Sequence, residues 1–172
     1  MAAEATGRPG RREGRDAVVF ERRFRAPIED VWAAITEPER LARWIGTWTG
    51  DPASGSVSFT MNAEGEGAAP STYEIDACEP PRRLVVRSVN DYGVWVLHLD
   101  LEHEAGVTTL AFAHVVDDPD MIESTGPGWD WYLDRLVAAE TGADPTALDW
   151  DRDYYPALRE HYVTLRTLLP GA

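Results

Sequence analysis

The sequence predicts an α+β fold: a six-stranded antiparallel sheet, two short helices after the first strand, and a long amphipathic helix near the C-terminus. Three observations predict it. A strand-like segment runs directly into two short helical segments, each opened by a proline. Five further segments then alternate apolar and polar residues between turn signals. After these the apolar spacing becomes helical. A run of strands followed by helices indicates an antiparallel sheet in an α+β domain. Each strand has one apolar face, so the sheet needs a cover, and the C-terminal helix is the element large enough to supply it.

Residues 1–17 read as a disordered tail, because Arg8, Arg11, Arg12 and Arg15 lie in a Gly-rich stretch without periodicity. Residues 18–172 read as one domain. Val18 to Arg25 is the first strand, with Val18, Phe20 and Phe24 on one face. Pro27 and Pro38 each open a helical segment, where a missing N–H goes unnoticed. Ile28, Val31, Trp32 and Ile35 form the stripe of the first helix; Leu41 and Trp44 form that of the second. Gly46 to Gly55 is turn-rich. Val57, Phe59 and Met61 alternate with Ser58, Thr60 and Asn62 in a second strand. A Gly/Ala loop covers 64–70. Tyr73 to Cys78 is the third strand, and Glu79 to Arg82 is a turn, since proline cannot continue a ladder. Leu84, Val86 and Ser88 belong to the fourth strand, followed by a hairpin turn at 90–93. Trp95, Leu97, Leu99 and Leu101 give the fifth strand its apolar face, with His98 on the opposite, solvated phase. Leu110 and Phe112 mark the sixth. A polar linker is expected over 117–128. Trp129, Tyr132, Leu133 and Leu136 form one face of the covering helix, which ends near Gly142. A last helix beginning near Pro156 carries Leu158, Tyr162, Leu165 and Leu169.

Composition narrows the functional classes. The balance is acidic, with 16 Lys+Arg, all arginine, against 30 Asp+Glu and a formal charge of −14. Nucleic acid and anionic membranes need a basic footprint, so neither is expected as a partner. No apolar run approaches the roughly 18 residues of a membrane span, so no membrane insertion is expected. A single cysteine, Cys78, and the absence of a secretory apolar segment point to a cytoplasmic protein.

Four segments resemble the START-like (SRPBCC, helix-grip) superfamily, in particular its branch similar to the C-terminal domain of the activator of heat-shock-protein-90 ATPase. These are Ala26 to Trp32 running on to Trp44, Cys78 to Val85, Gly106 to His114, and Gly128 to Leu136. The resemblance covers about residues 18–142, and the final helix looks like an extension present in some bacterial members. It implies a curved sheet wrapped around the long helix with a cavity between them. In such families the cavity holds lipids, sterols, polyketides or plant hormones; a few members are cyclases or hydrolases, and the chaperone activators use the domain for protein contact. The separate N-terminal domain of the eukaryotic activators is not recognisable in this sequence, so chaperone contact is not expected.

On that fold, Trp44 and Trp48 fall near a cavity mouth. Phe59, Met61, Tyr73, Trp95 and Phe112 point inward from strands, and Trp129 and Tyr132 lie on the covering face of the helix. The alternative is that these aromatics fill the interior. His114 is in phase with Leu110 and Phe112, so it faces inward either as a core histidine or as a polar handle in the cavity. The expected partner is a small apolar or aromatic molecule, with His114 and Tyr73 orienting a polar group. Two further readings stay open: a cyclase- or hydrolase-like enzyme pairing His114 with a cavity carboxylate, and a protein-interaction module. No cofactor is expected. The histidines His98, His103, His114 and His161 lack zinc-ligand spacing, so no metal is expected. Neither a nucleophile elbow nor a phosphate loop is present. Cys78 reads as incidental, in the phase opposite to Tyr73 and Ile75, and no catalytic residue is assigned. Trp150, Tyr154 and Tyr155 in the acidic loop 143–153 and just beyond it either pack back on the body or form a homodimer contact.

Overall fold

The computed structural model describes residues 2–65, 67–91 and 93–169. The loop expected at 64–70 and the hairpin turn expected at 90–93 each include one residue outside this set, Glu66 and Tyr92. Eight strands, not six, form one antiparallel sheet. They are β1 (Arg8–Arg12), β2 (Arg15–Phe24), β3 (Gly46–Thr49), β4 (Ser56–Met61), β5 (Ser71–Glu79), β6 (Arg83–Asn90), β7 (Gly93–Glu104) and β8 (Val107–Val115). The helices are α1 (Ile28–Thr36), α2 (Pro38–Leu41), α3 (Ile122–Thr141) and α4 (Arg159–Arg166). The spatial order β1-β2-β8-β7-β6-β5-β4-β3 follows from one excursion. The α1–α2 pair carries the chain from β2 to the far edge, and β3 to β8 then meander back until β8 pairs with β2.

Side chains directly opposite one another in antiparallel strands share a face. Phe20, Phe112, Leu99 and Leu84 therefore form one row across four strands, and Tyr73, Ser88 and Trp95 another. This is the inner face. Helix α3 lies against it with Leu133 and Leu136 fully buried, and α1 contributes Val31, Ala34 and Ile35 to the same core. Helix α4 packs on the back of α3. Its expected stripe is present: Leu158, Tyr162, Leu165 and Leu169 are all buried.

The two additional strands lack a sequence signal of their own. β3 is only four residues long and pairs with β4, the Gly46 backbone sitting so close to the Thr60 carbonyl and the Phe59 ring that a Cβ would overlap them. β1 lies in the stretch expected to be a disordered tail. It pairs with β2, and Gly10 leaves room for the Val19 side chain. Arg8 pairs with Glu21, Glu13 with Arg83 at 2.9 Å, and Arg12 with Asp100 at 3.6 Å. The hairpin thus reaches across the outer face of β6 and β7. That cover changes the fate of His98, expected to be solvated: it is 2 % exposed, and burial lowers its pKa.

The covering helix also starts earlier than the residues suggest. The expected linker 117–128 contains Gly126 and Pro127, both helix breakers by propensity, yet α3 begins at Ile122 and runs through them. Tertiary contact overrides propensity here. The Tyr162 ring lies flat on Gly126, where any Cβ would overlap it. The Asp130 carboxylate, fully buried, accepts from the Tyr162 hydroxyl, from Arg22 Nη2 at 3.1 Å and from the Thr6 amide at 3.1 Å. This network clamps the N-terminal segment, β2, α3 and α4 together.

Candidate functional site

A cavity of about 200 Å³ lies between the inner face of β4–β8, the α1–α2 pair with β3, and helix α3. Strand alternation places Phe59, Met61, Tyr73, Ile75, Val86, Leu97 and Phe112 on its walls, and helical spacing adds Ile35, Leu41 and Trp129. Eight of the ten residues expected at a ligand site meet here: Trp44, Trp48, Phe59, Met61, Tyr73, Trp95, Phe112 and Trp129. Their rings touch one another, with Phe59 edge-on to Tyr73 at 5.4 Å and Phe112 tilted on Trp129 at 4.5 Å. The aromatics therefore line a cavity without filling it.

His114 and Tyr132 do not line this cavity. His114 faces a second, smaller cavity of about 130 Å³, bounded by Val18, Phe20, Val94, Met121, Ile122 and Thr125, with Asp117 and Asp118 also on its wall. Trp95 and Trp129 border both cavities and form a partition between them, ring centroids 6.1 Å apart. The Trp129 indole donates to His114 Nδ1 at 2.9 Å. An indole N–H can only donate, so Nδ1 is unprotonated and the imidazole proton sits on Nε2. Burial lowers the His114 pKa to about 4, with the Asp117 charge pulling the other way. His114 is thus a neutral donor through Nε2. The charge that acts on it, that of Asp117, is ion-paired with Arg15.

Tyr132 turns to the side of the cavity. Its hydroxyl donates to Glu64 Oε1 at 2.6 Å, tying the β4–β5 loop to α3, and burial raises its pKa. The Tyr73 pKa is raised as well, first by burial and then by the Glu64 charge, so both phenols stay un-ionised.

The indoles differ in one respect. Trp44 donates to the Ala34 carbonyl at 3.0 Å, Trp48 to Thr36 at 2.8 Å, and Trp131 to Leu148 at 3.2 Å. The Trp95 Nε1–H is shut off from water and has no acceptor among the described residues, and the same holds for the Ser88 hydroxyl directly opposite it on β6. Ser88 was assigned only to a strand by sequence. Its alternation with Leu84 and Val86 was the signal that it faces inward.

Cys78 corrects another expectation. A register shift between Ile75 and Ala77 resets the alternation of β5, so Cys78 shares the inner phase with Ile75 and stands exposed at the cavity rim. The acidic-loop aromatics pack back on the body. Trp150 lies on Trp131 at 5.6 Å and stacks on Tyr155, and the Tyr154 hydroxyl donates to Asp134 at 2.8 Å. Among the described residues no group of three or more His, Cys, Asp or Glu converges as a metal would require, and no helix is long and apolar enough to cross a membrane.

Comparison with known proteins agrees with this architecture. The crystal structure of CalU16 from Micromonospora echinospora superposes with a TM-score of 0.72 at 25 % identity, covering 97 % of this chain and 99 % of that one. EF2215 from Enterococcus faecalis shares the fold with a TM-score of 0.69 at 20 % identity, covering 95 % and 92 %. DynU16, a protein of the dynemicin biosynthetic locus, shares it with a TM-score of 0.57 at 23 % identity, over 75 % of this chain and 49 % of that one. No curated protein matches by sequence. A family model does match, over residues 25–140, from the end of β2 through the covering helix, and by that span the chain belongs to the family of Activator of Hsp90 ATPase homolog 1-like proteins.

Proposed function

We propose that the chain holds a small apolar, aromatic molecule in the larger cavity, as a carrier or sensor. The observation that carries this reading is an open, almost entirely apolar space of about 200 Å³ walled by aromatic rings whose own packing does not close it. Cavities of about 150 Å³ lined by Leu, Ile and Phe already take up benzene, so this larger one, open at its mouth, suits a molecule of one to three rings. Ligand sites of this kind combine apolar walls with a few placed polar groups. Here the polar side chains on the wall include Tyr73 and Thr36.

The test is a titration with the uncharged fluorophore N-phenyl-1-naphthylamine. The native protein should give saturable enhancement. Val86→Phe, which places a ring in the cavity without touching the outer face, should weaken binding at least about tenfold while leaving the thermal midpoint unchanged or higher. Equal affinity in the two proteins, or no saturable binding to either, would overturn the reading.

A further inference from the structure

His114 belongs to a different space from the one proposed to hold the larger ligand. It borders the smaller cavity of about 130 Å³ and not the cavity of about 200 Å³. The Trp129 indole occupies its Nδ1 lone pair, which leaves the imidazole proton on Nε2. Nε2 meets no acceptor among the described residues, yet it is not shut off from water as the Trp95 nitrogen and the Ser88 hydroxyl are. The free N–H therefore opens on the smaller cavity. The other polar side chains on that wall are engaged already. Thr125 Oγ1 donates to the Met121 carbonyl at 2.9 Å, Asp117 is paired with Arg15, and Asp118 accepts the Asp120 amide at 3.0 Å. Val18, Phe20, Val94, Ile122 and the rings of Trp95 and Trp129 make much of the rest apolar.

We propose that the smaller cavity is a second binding site, for an uncharged molecule of about one ring that accepts the His114 Nε2–H through a carbonyl or hydroxyl oxygen. The site does not depend on the ligand-cavity reading above. Among the described wall residues, His114 Nε2 is the side-chain donor left with room for a partner, so the occupant must accept. Charge selects further. Burial keeps His114 neutral down to about pH 4, no arginine lies on the wall, and Asp117 and Asp118 do. An anion would be desolvated there with two carboxylates and no cation facing it. An ammonium has no lone pair to offer the Nε2–H. Size sets the rest. A water takes about 30 Å³ and seeks roughly two to four polar partners, whereas this space is several times larger and its wall is mostly apolar. A cavity of about 150 Å³ holds benzene. This slightly smaller one, open to solvent past the exposed Asp117 and Asp118, suits a single small ring.

The test titrates the native protein with two molecules of nearly the same shape, cyclopentanone and methylenecyclopentane. Long-range proton–nitrogen correlation of the imidazoles reads Nε2 directly and needs no variant to fold. The ketone should move the His114 Nε2 resonance downfield and the hydrocarbon much less, while both shift the methyl signals of Val18 and Ile122 saturably. In His114→Phe the ketone should lose about tenfold in affinity relative to the hydrocarbon; the ratio cancels the hydration that the ketone sheds in either protein. Methyl shifts confined to Ile75 and Val86 would place the ketone in the larger cavity and overturn the second site. So would an Nε2 resonance that responds equally to both molecules, an unchanged ratio, or cyclopentanecarboxylate binding as tightly as the ketone.

Discussion

Acidification should remove stability that His114 contributes at neutral pH. Its Nδ1 accepts the Trp129 indole N–H at 2.9 Å, and its ring packs against both Trp95 and Trp129. Protonating it in place means charging an imidazole in apolar surroundings and losing that hydrogen bond. Burial accordingly lowers its pKa from 6.5 to about 4. In the unfolded chain it protonates near the ordinary value. Between the two values the unfolded state binds more protons, so stability rises with pH there. The contribution is fully present above about pH 6.5 and is lost as the pH falls to about 4. A shift of about 2.5 units at roughly 1.4 kcal/mol per unit gives on the order of 3 kcal/mol. His98, whose pKa is also lowered by burial, adds a loss of the same sign. Chemical denaturation at several pH values, for the native protein and for His114→Asn, isolates the first effect. The amide oxygen of asparagine can take over the acceptor role of Nδ1 without titrating. The native protein should lose roughly 3 kcal/mol more than the variant between about pH 7 and pH 4. Parallel curves would refute the neutral, buried histidine.

Three other substitutions probe the frame around the cavity. Asp130→Ala leaves the buried Arg22 only Asp134 as an ionic partner and takes the acceptor from the Tyr162 hydroxyl and the Thr6 amide; it should cost about 3 kcal/mol in denaturant unfolding, with faster hydrogen exchange at the Thr6 amide. Gly126→Ala should destabilise by about 1–3 kcal/mol through overlap with the Tyr162 ring, outweighing the roughly 1 kcal/mol gain in helix propensity; a higher thermal midpoint would contradict the close approach. Tyr132→Phe should cost about 1 kcal/mol and speed amide exchange in the β4–β5 loop, because Glu64 loses its bond to α3. Unchanged exchange there would show that the loop is held otherwise.

The strands and the inward face were legible because a half-buried sheet imposes a period of two on its residues. Phe59, Tyr73, Trp95 and Phe112 could be oriented from alternation alone. What alternation cannot report is cover from elsewhere in the chain. His98 has the phase of a solvated residue and is buried because an Arg-rich hairpin, itself without periodicity, lies over it. β1 is held by Glu13–Arg83 and Arg12–Asp100, pairs distant in sequence. The register shift after Ile75 reverses the phase of Cys78, and no residue type announces it. Gly126 and Pro127 argue locally against a helix that Tyr162 and Asp130 stabilise from outside. At the site, spacing put Trp129 and Tyr132 on one helix face, but only packing decides that the first lines the cavity while the second reaches Glu64. The Trp95 indole and the Ser88 hydroxyl were hidden for a related reason: among the described residues they are distinguished by hydrogen bonds they do not make, which a sequence does not record.

The central claim is that the space between sheet and helix is where a ligand sits. The most direct measurement is a set of intermolecular NOEs between bound N-phenyl-1-naphthylamine and the labelled methyl groups of the protein. The account predicts contacts to the methyls of Ile75, Val86, Leu97 and Leu99, which line the cavity. Contacts confined to the exposed Val89 or Leu168 would place the molecule on the surface and contradict it.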